Sequence, residues 1–380
     1  MQRIGVVLYD VAIIGAGING SAMAYELTQK GKRVALFDMQ GVASGGSGAA
    51  GAFISPKFSK EGELKELIHD AFVYSMRFYE NNFAHLLKKS PLLHIAKDEK
   101  DSQTLKYYKQ HTKLELKTPP AELLKNLQAQ ALKQESVFLE AGVVHAKLMC
   151  EALSKSATFF HQEVKSLVYD DGSWIINETY AAKDVVLATG AYETLLPEPY
   201  IELRGVWGHR IDIKTTTHNN FSIHQFVSIS PEIDGVTAIG ATHNVHYHPQ
   251  KNQEPYDIEA GREELLQKAL KTIELEDIEI IKDYTGLRSG SFDYMPLIGQ
   301  MVMSKETLEC CKKQVRVKKP DFSNFVYYPN LYMINGNGGY GFVLAPYLAK
   351  ILSEKILSNK EISQRLSPAR FFARWAKKLT

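Results

Sequence analysis

Glycines near the start of the chain, followed by an aspartate, have the residue types and spacing that hold a dinucleotide. The apolar run Val11–Ile14 leads into Gly15–Gly20, a stretch of helical composition follows as far as Gly31, and a second apolar run ends at Asp38. The glycines permit a tight turn, a close approach of backbone to a pyrophosphate, and close packing of helix on strand. The helix N-terminus attracts phosphate and the aspartate accepts ribose hydroxyls. This context favours dinucleotide binding over a glycine-rich turn of an unrelated α/β domain.

A second run of small residues, Ala43–Ala52, follows the aspartate closely. Such a run lets backbone approach a flat, extended ligand and offers N–H and hydroxyl donors. A small nicotinamide site does not need it, so the run favours FAD over NAD. A flexible loop is the alternative interpretation.

Three later segments also combine an apolar run with small residues. Val185–Ala191 indicates a buried strand that enters a small-residue turn, and Thr285–Gly299 carries Arg288 between glycines. Asn330–Phe342 indicates a strand and a third glycine-rich turn, and a helix is predicted over Ala345–Leu357. This turn again directs a helix N-terminus at a ligand.

The remaining elements are predicted from periodicity and composition. The segment from about 88 to 140 is mostly helical in composition, and 301–328 has no clear pattern and is interpreted as an insertion. The other predictions are a helix over Ile68–Leu87, a return to the first domain at Gly142–His145 followed by a helix over Ala146–Lys155, and antiparallel strands in Val206–Lys214 and Phe226–Ile239.

Composition and cysteine usage argue against several classes of protein. The 380 residues carry a net charge of +2, which by itself is too small to indicate nucleic-acid binding. The three cysteines include the adjacent Cys310 and Cys311 and contain no CxxC pair, so neither a disulfide framework nor structural zinc is expected. His243, His246 and His248 lack a defined acid or thiolate partner, and we expect exposed histidines at a strand end and no metal site.

The sequence also lacks the signals of a membrane protein. No stretch reaches the roughly 18 apolar residues of a spanning helix. The apolar run near the N-terminus has no small-residue cleavage site and leads directly into a strand. We therefore expect a cytoplasmic protein.

Five motifs, in order along nearly the whole chain, resemble those of the FAD-dependent D-amino-acid oxidase and glycine oxidase superfamily. They are GAGING, SGGSGAAG, VVLATGA, GLRSGSFDYMPLIG and GNGGYGF. The resemblance implies an α/β fold, in which a Rossmann-type FAD-binding domain is interleaved with an α+β substrate domain built on an antiparallel sheet. The FAD-binding domain would comprise residues 1–87, 140–205 and 284–380, with an insertion near 301–328. The substrate domain would comprise 88–139 and 206–283.

Within this superfamily the chain is similar to the C-terminal oxidase domain of the bifunctional tRNA wobble-uridine enzymes of MnmC type. The stretches SGAAGAFISP, AFVYSMRFYE, YMINGNGGYGF and LSPARFFARWAKK carry that resemblance, and the methyltransferase half of those enzymes has no counterpart in this sequence. Three positions depart from the pattern. Gly338–Gly341 reads GGYG where Gly-Ser-Arg-Gly is expected, Trp207–His209 replaces an Arg-Gly-Gln step, and Ser228 stands where relatives often carry tyrosine. Because of these departures, the resemblance does not identify the substrate.

The resemblance also implies roles for individual residues. Arg288 would hold the carboxylate of the substrate, because guanidinium binds carboxylate through two hydrogen bonds and stays charged. A structural arginine that braces its loop is the alternative. Tyr340 would face the substrate, as would Tyr284 or Tyr294, although each tyrosine alone is more often a packing residue. The residues expected at FAD are Gly15, Ala16, Gly17, Ile18, Asn19, Gly20, Asp38, Met39, Ser44, Ser47, Gly48, Ala49, Ala50, Gly51, Val164, Ala188, Thr189, Gly190, Gly336, Asn337, Gly338, Gly339, Tyr340, Gly341 and Phe342.

The implied chemistry is oxidation of the carbon next to a neutral amine, followed by hydrolysis of the imine. Three functions stay open. The first is oxidation of the carboxymethylaminomethyl group on tRNA wobble uridine, which gives the aminomethyl nucleoside and glyoxylate. The second is a free glycine or D-amino-acid oxidase or dehydrogenase. The third is a flavin-binding protein without turnover, with tRNA or another partner as its ligand.

Two basic clusters favour the tRNA substrate, because a tRNA enzyme needs a surface for phosphates. Ser367 is expected to cap a C-terminal helix in which Phe371, Trp375 and Leu379 dock and the cations face outward. A solvated, charged helix face is the alternative. The cluster in the insertion contains Lys305, Lys312, Lys313, Arg316, Lys318 and Lys319, and the cluster in the tail contains Arg365, Arg370, Arg374, Lys377 and Lys378.

Overall fold

The computed structural model describes residues 7–192, 195–315 and 317–379. Two members of the predicted basic insertion, Arg316 and the side chain of Lys312, lie outside this description. So do residues 1–6, on which part of the signal-peptide interpretation falls. Within the described ranges, no helix is both long enough and apolar enough to cross a bilayer.

Sixteen strands and nine α-helices are described and are numbered here in chain order. The strands are β1 (Leu8–Ile14), β2 (Val34–Asp38), β3 (Phe53–Ile54), β4 (Leu87–Ile95), β5 (Ser136–Val144), β6 (Thr158–His161), β7 (Leu167–Asp170), β8 (Ser173–Ile176), β9 (Tyr180–Leu187), β10 (Leu203–Lys214), β11 (Ser222–His224), β12 (Ser228–Ile229), β13 (Thr237–Gly240), β14 (Glu279–Ser291), β15 (Leu297–Val302) and β16 (Tyr327–Asn335). The helices are α1 (Ile18–Gln29), α2 (Glu63–Phe83), α3 (Glu99–His111), α4 (Ala129–Leu132), α5 (Ala146–Ser154), α6 (Ile258–Leu270), α7 (Ser304–Val315), α8 (Gly341–Ser358) and α9 (Ala369–Ala376).

The first sheet has the order β15-β16-β9-β1-β2-β6, and β8 pairs with the first residues of β9 and with β7. Strands β6, β2, β1, β9 and β16 pair in parallel, whereas β15 is antiparallel to β16. Side chains of β1 alternate between two hydrophobic clusters: Val11 and Ile13 pack with α1, α2, α5 and α8, and Ala12 and Ile14 pack on the side of α7 and α9. Burial on both faces is what a parallel sheet requires.

The second sheet has the order β14-β10-β13-β12-β11-β4-β5-β3 and is antiparallel except for the β11–β4 pair. Alternate residues of its strands, such as Ile223, Ile229 and Ile239, pack with Leu265 and Ala269 of α6 in one hydrophobic cluster. Their neighbours on the opposite face are polar or small. The α/β fold class with a parallel sheet and an antiparallel sheet is thus confirmed, and the domain boundaries stay a prediction.

Several predicted elements are corrected by the structure. The Lys- and Leu-rich segment 88–140 is not mostly helical, because β4 and β5 form a long antiparallel pair within it. The alternation of apolar and polar residues in β4 was obscured by its lysines. The predicted insertion contains an ordered helix, α7, and helix α8 begins at Gly341, four residues before the predicted Ala345.

The adjacent cysteines also differ from expectation. The sulfur atoms of Cys310 and Cys311 form a vicinal disulfide, which the sequence did not predict. The backbone of α7 leaves the helical region at Cys311, so the two side chains do not follow regular helical spacing. Neither cysteine lines the cavity described below.

Candidate active site

A cavity with a volume of about 910 Å³ is lined by residues from both sheets. It brings together segments that lie up to about 330 residues apart in the chain. The predicted site residues that line it are Gly15, Gly17, Ile18, Asn19, Asp38, Met39, Ser44, Ser47, Ala49, Ala50, Gly51, Val164, Ala188, Thr189, Gly190, Arg288, Asn337, Gly338, Gly339, Tyr340, Gly341 and Phe342.

The turn between β1 and α1 has the geometry that its glycines predict. Gly15 has φ +102°, and a Cβ there would lie 2.4 Å from the carbonyl oxygen of Ala188. A Cβ on Gly20 would lie 1.8 Å from the carbonyl oxygen of Gly15, so only glycine lets α1 cross the turn so closely. One carboxylate oxygen of Asp38 accepts from the backbone N–H of Ala16 at 2.9 Å and fixes the end of β2 beside the turn.

Four residues that were predicted at the cofactor do not line the cavity, and each has a packing role. Ala16 is fully buried behind the turn, and Gly20 packs against Gly15. A Cβ on Gly48 would lie 2.0 Å from the carbonyl oxygen of Ala43, and Gly336 has φ +78° and lies against Ser291. Because these residues are small, the segments that line the cavity can pack closely against them.

The second small-residue run lies between the dinucleotide turn and the second sheet. The hydroxyl oxygen of Ser47 accepts from the N–H of Ile18, the first residue of α1, at 2.9 Å. On the other side of the run, a Cβ on Gly46 would lie 2.5 Å from the carbonyl oxygen of Leu287, and a Cβ on Gly286 would lie 2.9 Å from Cα of Gly46. These glycine contacts place β14, and with it Arg288, directly beside the run.

Buried polar atoms without a partner provide a test of whether a dinucleotide fits this cavity. The Thr189 hydroxyl and the Asn337 side-chain oxygen are buried and lack a hydrogen-bond partner among the described residues, and both residues line the cavity. Buried polar groups are nearly always hydrogen-bonded. With the N-terminus of α1 and the open space beside Gly338 and Gly339, these unpaired groups fit an extended ligand such as FAD.

Arg288 lies in the cavity wall without an acidic partner among the described residues. Its Nη1 and Nη2 both donate to the carbonyl oxygen of Thr242, at 3.2 Å each. Burial lowers the pKa of its guanidinium from the usual value, although an arginine remains charged near neutral pH. An enclosed cation that faces a cavity and has no carboxylate partner in the protein is suited to a carboxylate of the ligand.

Gly208 makes room for this guanidinium. A Cβ at that position would lie 2.4 Å from Nη2 and 2.7 Å from Cζ of Arg288. Gly208 belongs to the WGH step that departs from the expected Arg-Gly-Gln. The neighbouring His209 points to the opposite face of the sheet, where its Nε2 lies 2.9 Å from Oδ1 of Asp283.

The predicted tyrosines separate into two groups. Tyr340 lines the cavity, burial raises its pKa to about 12, and Nζ of Lys57 lies 5.6 Å from its ring centroid. Its phenol therefore stays protonated at neutral pH. Tyr284 and Tyr294 do not line the cavity: the Arg210 guanidinium covers the first at 3.9 Å, and the second is 69% exposed.

Two histidines that the sequence analysis did not single out, His94 of β4 and His224 of β11, also line the cavity. They are register partners on neighbouring strands. Burial lowers the pKa of each to about 3, so both imidazoles are neutral at pH 7. Only the alternation of β4 could have indicated that His94 faces away from the apolar cluster, and no signal in the sequence links it to His224.

The three histidines weighed as metal ligands are not strand-end residues. His243, His246 and His248 follow β13 in irregular structure, and only His243 lines the cavity. No group of three or more metal-ligating side chains is found in the described ranges.

The cations of the basic tail all have partners within the protein. Arg370 forms a two-bond ion pair with Asp293, at 2.8 and 3.0 Å, and also donates to the carbonyl oxygen of Met295. The Arg374 guanidinium lies 3.7 Å from the ring centroid of Phe292. The remaining partnerships are Arg365 with Glu63, Lys378 with Glu202, and Lys377 with the carbonyl oxygen of Lys318.

The docking face of the tail also differs from the prediction. Helix α9 begins at Ala369, with the Ser367 hydroxyl accepting from its N–H at 3.2 Å, and buries Phe371 and Phe372. Leu379 is 49% exposed. The α-helix ends at Ala376 and a 3₁₀ turn follows, so the expected period of 3.6 residues does not continue to Leu379.

Comparison with known proteins agrees with this geometry. The model of a family described as FAD dependent oxidoreductase (DAO) matches residues 10–355. The chain belongs to this family. As the sequence predicted, it is an FAD-dependent oxidoreductase by family.

Individual relatives have low sequence identity to this chain. The bifunctional protein MnmC of tRNA 5-methylaminomethyl-2-thiouridine biosynthesis from Legionella pneumophila (strain Lens) is 24% identical over 94% of this chain. The match covers 56% of that relative, so the chain spans about half the length of the curated relative it matches.

Solved structures confirm the fold. Glycine oxidase from Geobacillus kaustophilus superposes with a TM-score of 0.75 at 21% identity, covering 96% of this chain and 98% of that chain. Glycine oxidase from Bacillus cereus ATCC 14579 superposes with a TM-score of 0.73 at 20% identity, covering 93% and 96%.

Proposed function

We propose that the chain binds FAD in the described cavity and oxidises the C–N bond of a secondary amine that carries a carboxymethyl group. The substrate we favour is the carboxymethylaminomethyl group of tRNA wobble uridine. The single observation that carries the proposal is Arg288, an enclosed cation at the cavity wall, without an acidic partner among the described residues, beside the small-residue run.

The protein's part in this reaction is to bind and orient. Arg288 holds the carboxylate, and its two bonds to the Thr242 carbonyl fix the direction of the guanidinium. The carbon between carboxylate and amine is thereby held at a set distance from the cavity wall. When bound, FAD supplies the acceptor for the hydride that leaves this carbon. The amine loses a proton, and water then hydrolyses the C=N bond to release an aminomethyl nucleoside and glyoxylate.

A free amino acid is the second candidate substrate, and a specific observation favours it. Each cation of the basic tail is engaged within the protein, so the tail does not present a row of free charges for phosphate. A glycine or D-amino-acid oxidase or dehydrogenase would use Arg288 in the same way.

The test is reduction of the flavin by amines in the absence of oxygen. The purified protein is expected to carry a flavin spectrum that bleaches with carboxymethylaminomethyl-modified tRNA. Glycine, sarcosine and D-amino acids are offered in parallel, and bleaching by these alone would replace the tRNA substrate with a free amino acid.

The role of Arg288 is tested by Arg288→Ala. We expect the flavin to be retained and kcat/KM to fall about 10- to 100-fold or more, because a hydrogen-bonded charge is lost. Arg204→Ala is the matched control, since Arg204 lies on the neighbouring strand, over the Phe292 ring, and does not line the cavity. Normal turnover by Arg288→Ala would show that Arg288 does not hold the substrate carboxylate.

A further inference from the structure

A row of side chains crosses the second sheet on the face that lines the cavity. The register pairs His94 with His224, His224 with Ser228, Ser228 with Gly240, and Gly240 with Arg210. Directly paired residues point to the same face of a sheet. His94, His224, Ser228 and Gly240 all line the cavity.

The opposite face of the same strands is apolar, so the strands separate polar from apolar side chains between their two faces. Leu93, Ile223, Ile229 and Ile239 alternate with the row and pack in the hydrophobic cluster under α6. Slipping any strand by one residue would exchange the two faces. The register of the sheet therefore fixes which polar groups meet the ligand.

The two histidines are built into this wall and remain unpaired. Nδ1 of His94 and Nε2 of His224 are buried without a hydrogen-bond partner among the described residues. The His94 ring stacks on Phe58 with centroids 4.2 Å apart, and the His224 ring lies edge-on to Phe53 at 4.9 Å. These ring contacts fix the orientation of both imidazoles. The other ring nitrogen of each, Nε2 of His94 and Nδ1 of His224, also has no hydrogen-bond partner among the described residues and is the atom available to a ligand.

The row is longer than a free amino acid needs. The Arg288 guanidinium bonds to Thr242, just beyond the end of β13, and β12, β11 and β4 follow in order. Three strand spacings of ~4.8 Å separate β13 from β4, which is about 14 Å. A ligand anchored at Arg288 can thus extend well past its amine before it reaches His94.

We propose that His94 and His224, with Ser228, form a second subsite that binds a neutral, planar, hydrogen-bonding ring attached to the amine, such as a pyrimidine base. This inference rests on the proposed function and assigns its substrate specificity to these residues. A neutral imidazole has one donor and one acceptor nitrogen, which match the N–H and carbonyl groups of such a ring. Lys97, exposed at the cavity wall, is the charged group that faces the pair.

The first test measures binding of uridine, which carries the ring without the amine, to the oxidised, FAD-loaded protein by calorimetry. His94→Leu and His224→Leu are each expected to weaken Kd about tenfold, and His224→Asn to restore part of the affinity. The matched control is His218→Leu, because His218 is 78% exposed and pairs with Glu232 outside the cavity. Uridine affinity that is equal in all variants overturns the subsite.

The second test compares kcat/KM for sarcosine with that for 5-carboxymethylaminomethyluridine, free and in a short RNA hairpin. Wild type should prefer the nucleoside forms, and each histidine variant should lower this preference about tenfold, because sarcosine carries no ring for the subsite to bind. An equal loss for both substrates would show a merely structural role and overturn the proposal.

The outcomes separate the two proposals. Reduction by sarcosine alone refutes the second subsite and leaves amine oxidation intact. Reduction by none of the amines offered refutes the proposed function, and uridine binding then still decides whether the histidines form a ring subsite.

Discussion

At the scale of single residues, the position of Arg288 depends on the absence of a side chain next to it. Gly208 leaves the space that the guanidinium fills, and the Thr242 carbonyl supplies the two bonds that direct it. Glycine is required here for room and not for a left-handed backbone angle.

Gly208→Ala is expected to displace the guanidinium, because the new Cβ would lie 2.4 Å from Nη2. We expect kcat/KM for a carboxylate-bearing amine to fall about 10- to 100-fold, as small misplacements of a positioning group do. Steady-state kinetics and flavin content measure this. Gly290→Ala, on the strand of Arg288, is the control, since its nearest contact would be an ordinary 3.9 Å. Equal kinetics for the two variants would contradict the positional argument.

At the scale of elements, the crossing of α1 over the β1 turn decides whether the dinucleotide cradle forms. The chain achieves this crossing with Gly20 against Gly15, while Asp38 ties the end of β2 to the same turn. Helix propensity opposes this choice, because alanine is favoured over glycine inside a helix by about 1 kcal/mol.

Gly20→Ala therefore tests whether close packing or helix propensity decides which residue is tolerated at this position. We expect loss of bound FAD and a destabilisation of about 1–3 kcal/mol, the usual range for overpacking. Flavin absorbance per protein and thermal unfolding give the two readouts. Gln29→Ala, at the exposed end of α1, should leave both unchanged. An alanine at position 20 that keeps FAD and raises Tm would mean that propensity outweighs the contact.

At the scale of the whole molecule, paired and unpaired cations are distributed unevenly. The tail cations have partners within the protein, whereas Lys313, Lys318 and Lys319 are exposed and have no carboxylate of the described residues within ion-pair distance. If tRNA binds, phosphate should favour the lysines that give up no existing pair.

We accordingly expect Lys313→Ala, Lys318→Ala and Lys319→Ala, combined, to weaken tRNA binding more than Arg365→Ala combined with Lys378→Ala. Each contributing lysine should reduce the slope of log K against log salt by about 1. Filter binding over a range of salt concentrations measures this. A larger loss of tRNA affinity for Arg365→Ala combined with Lys378→Ala would instead support tRNA binding by the tail.

The sequence by itself determined the features that contiguous residues encode. The GAGING turn, the aspartate at Asp38 and the small-residue run are local, since the turn and helix start follow from residues next to one another. The family and the α/β fold follow from the order of these motifs. The motif was enough to name Arg288 as a candidate. Its lack of an acidic partner could not be predicted from the sequence.

Only the tertiary structure decided which distant side chains meet. His94 and His224 lie 130 residues apart and become neighbours through the β4–β11 pairing. The tail cations look free in the sequence because their partners, such as Glu63 and Asp293, are brought to them by the fold. Backbone motifs depend on neighbours in sequence, whereas burial, pairing and pKa depend on neighbours in space, and strand register sets those.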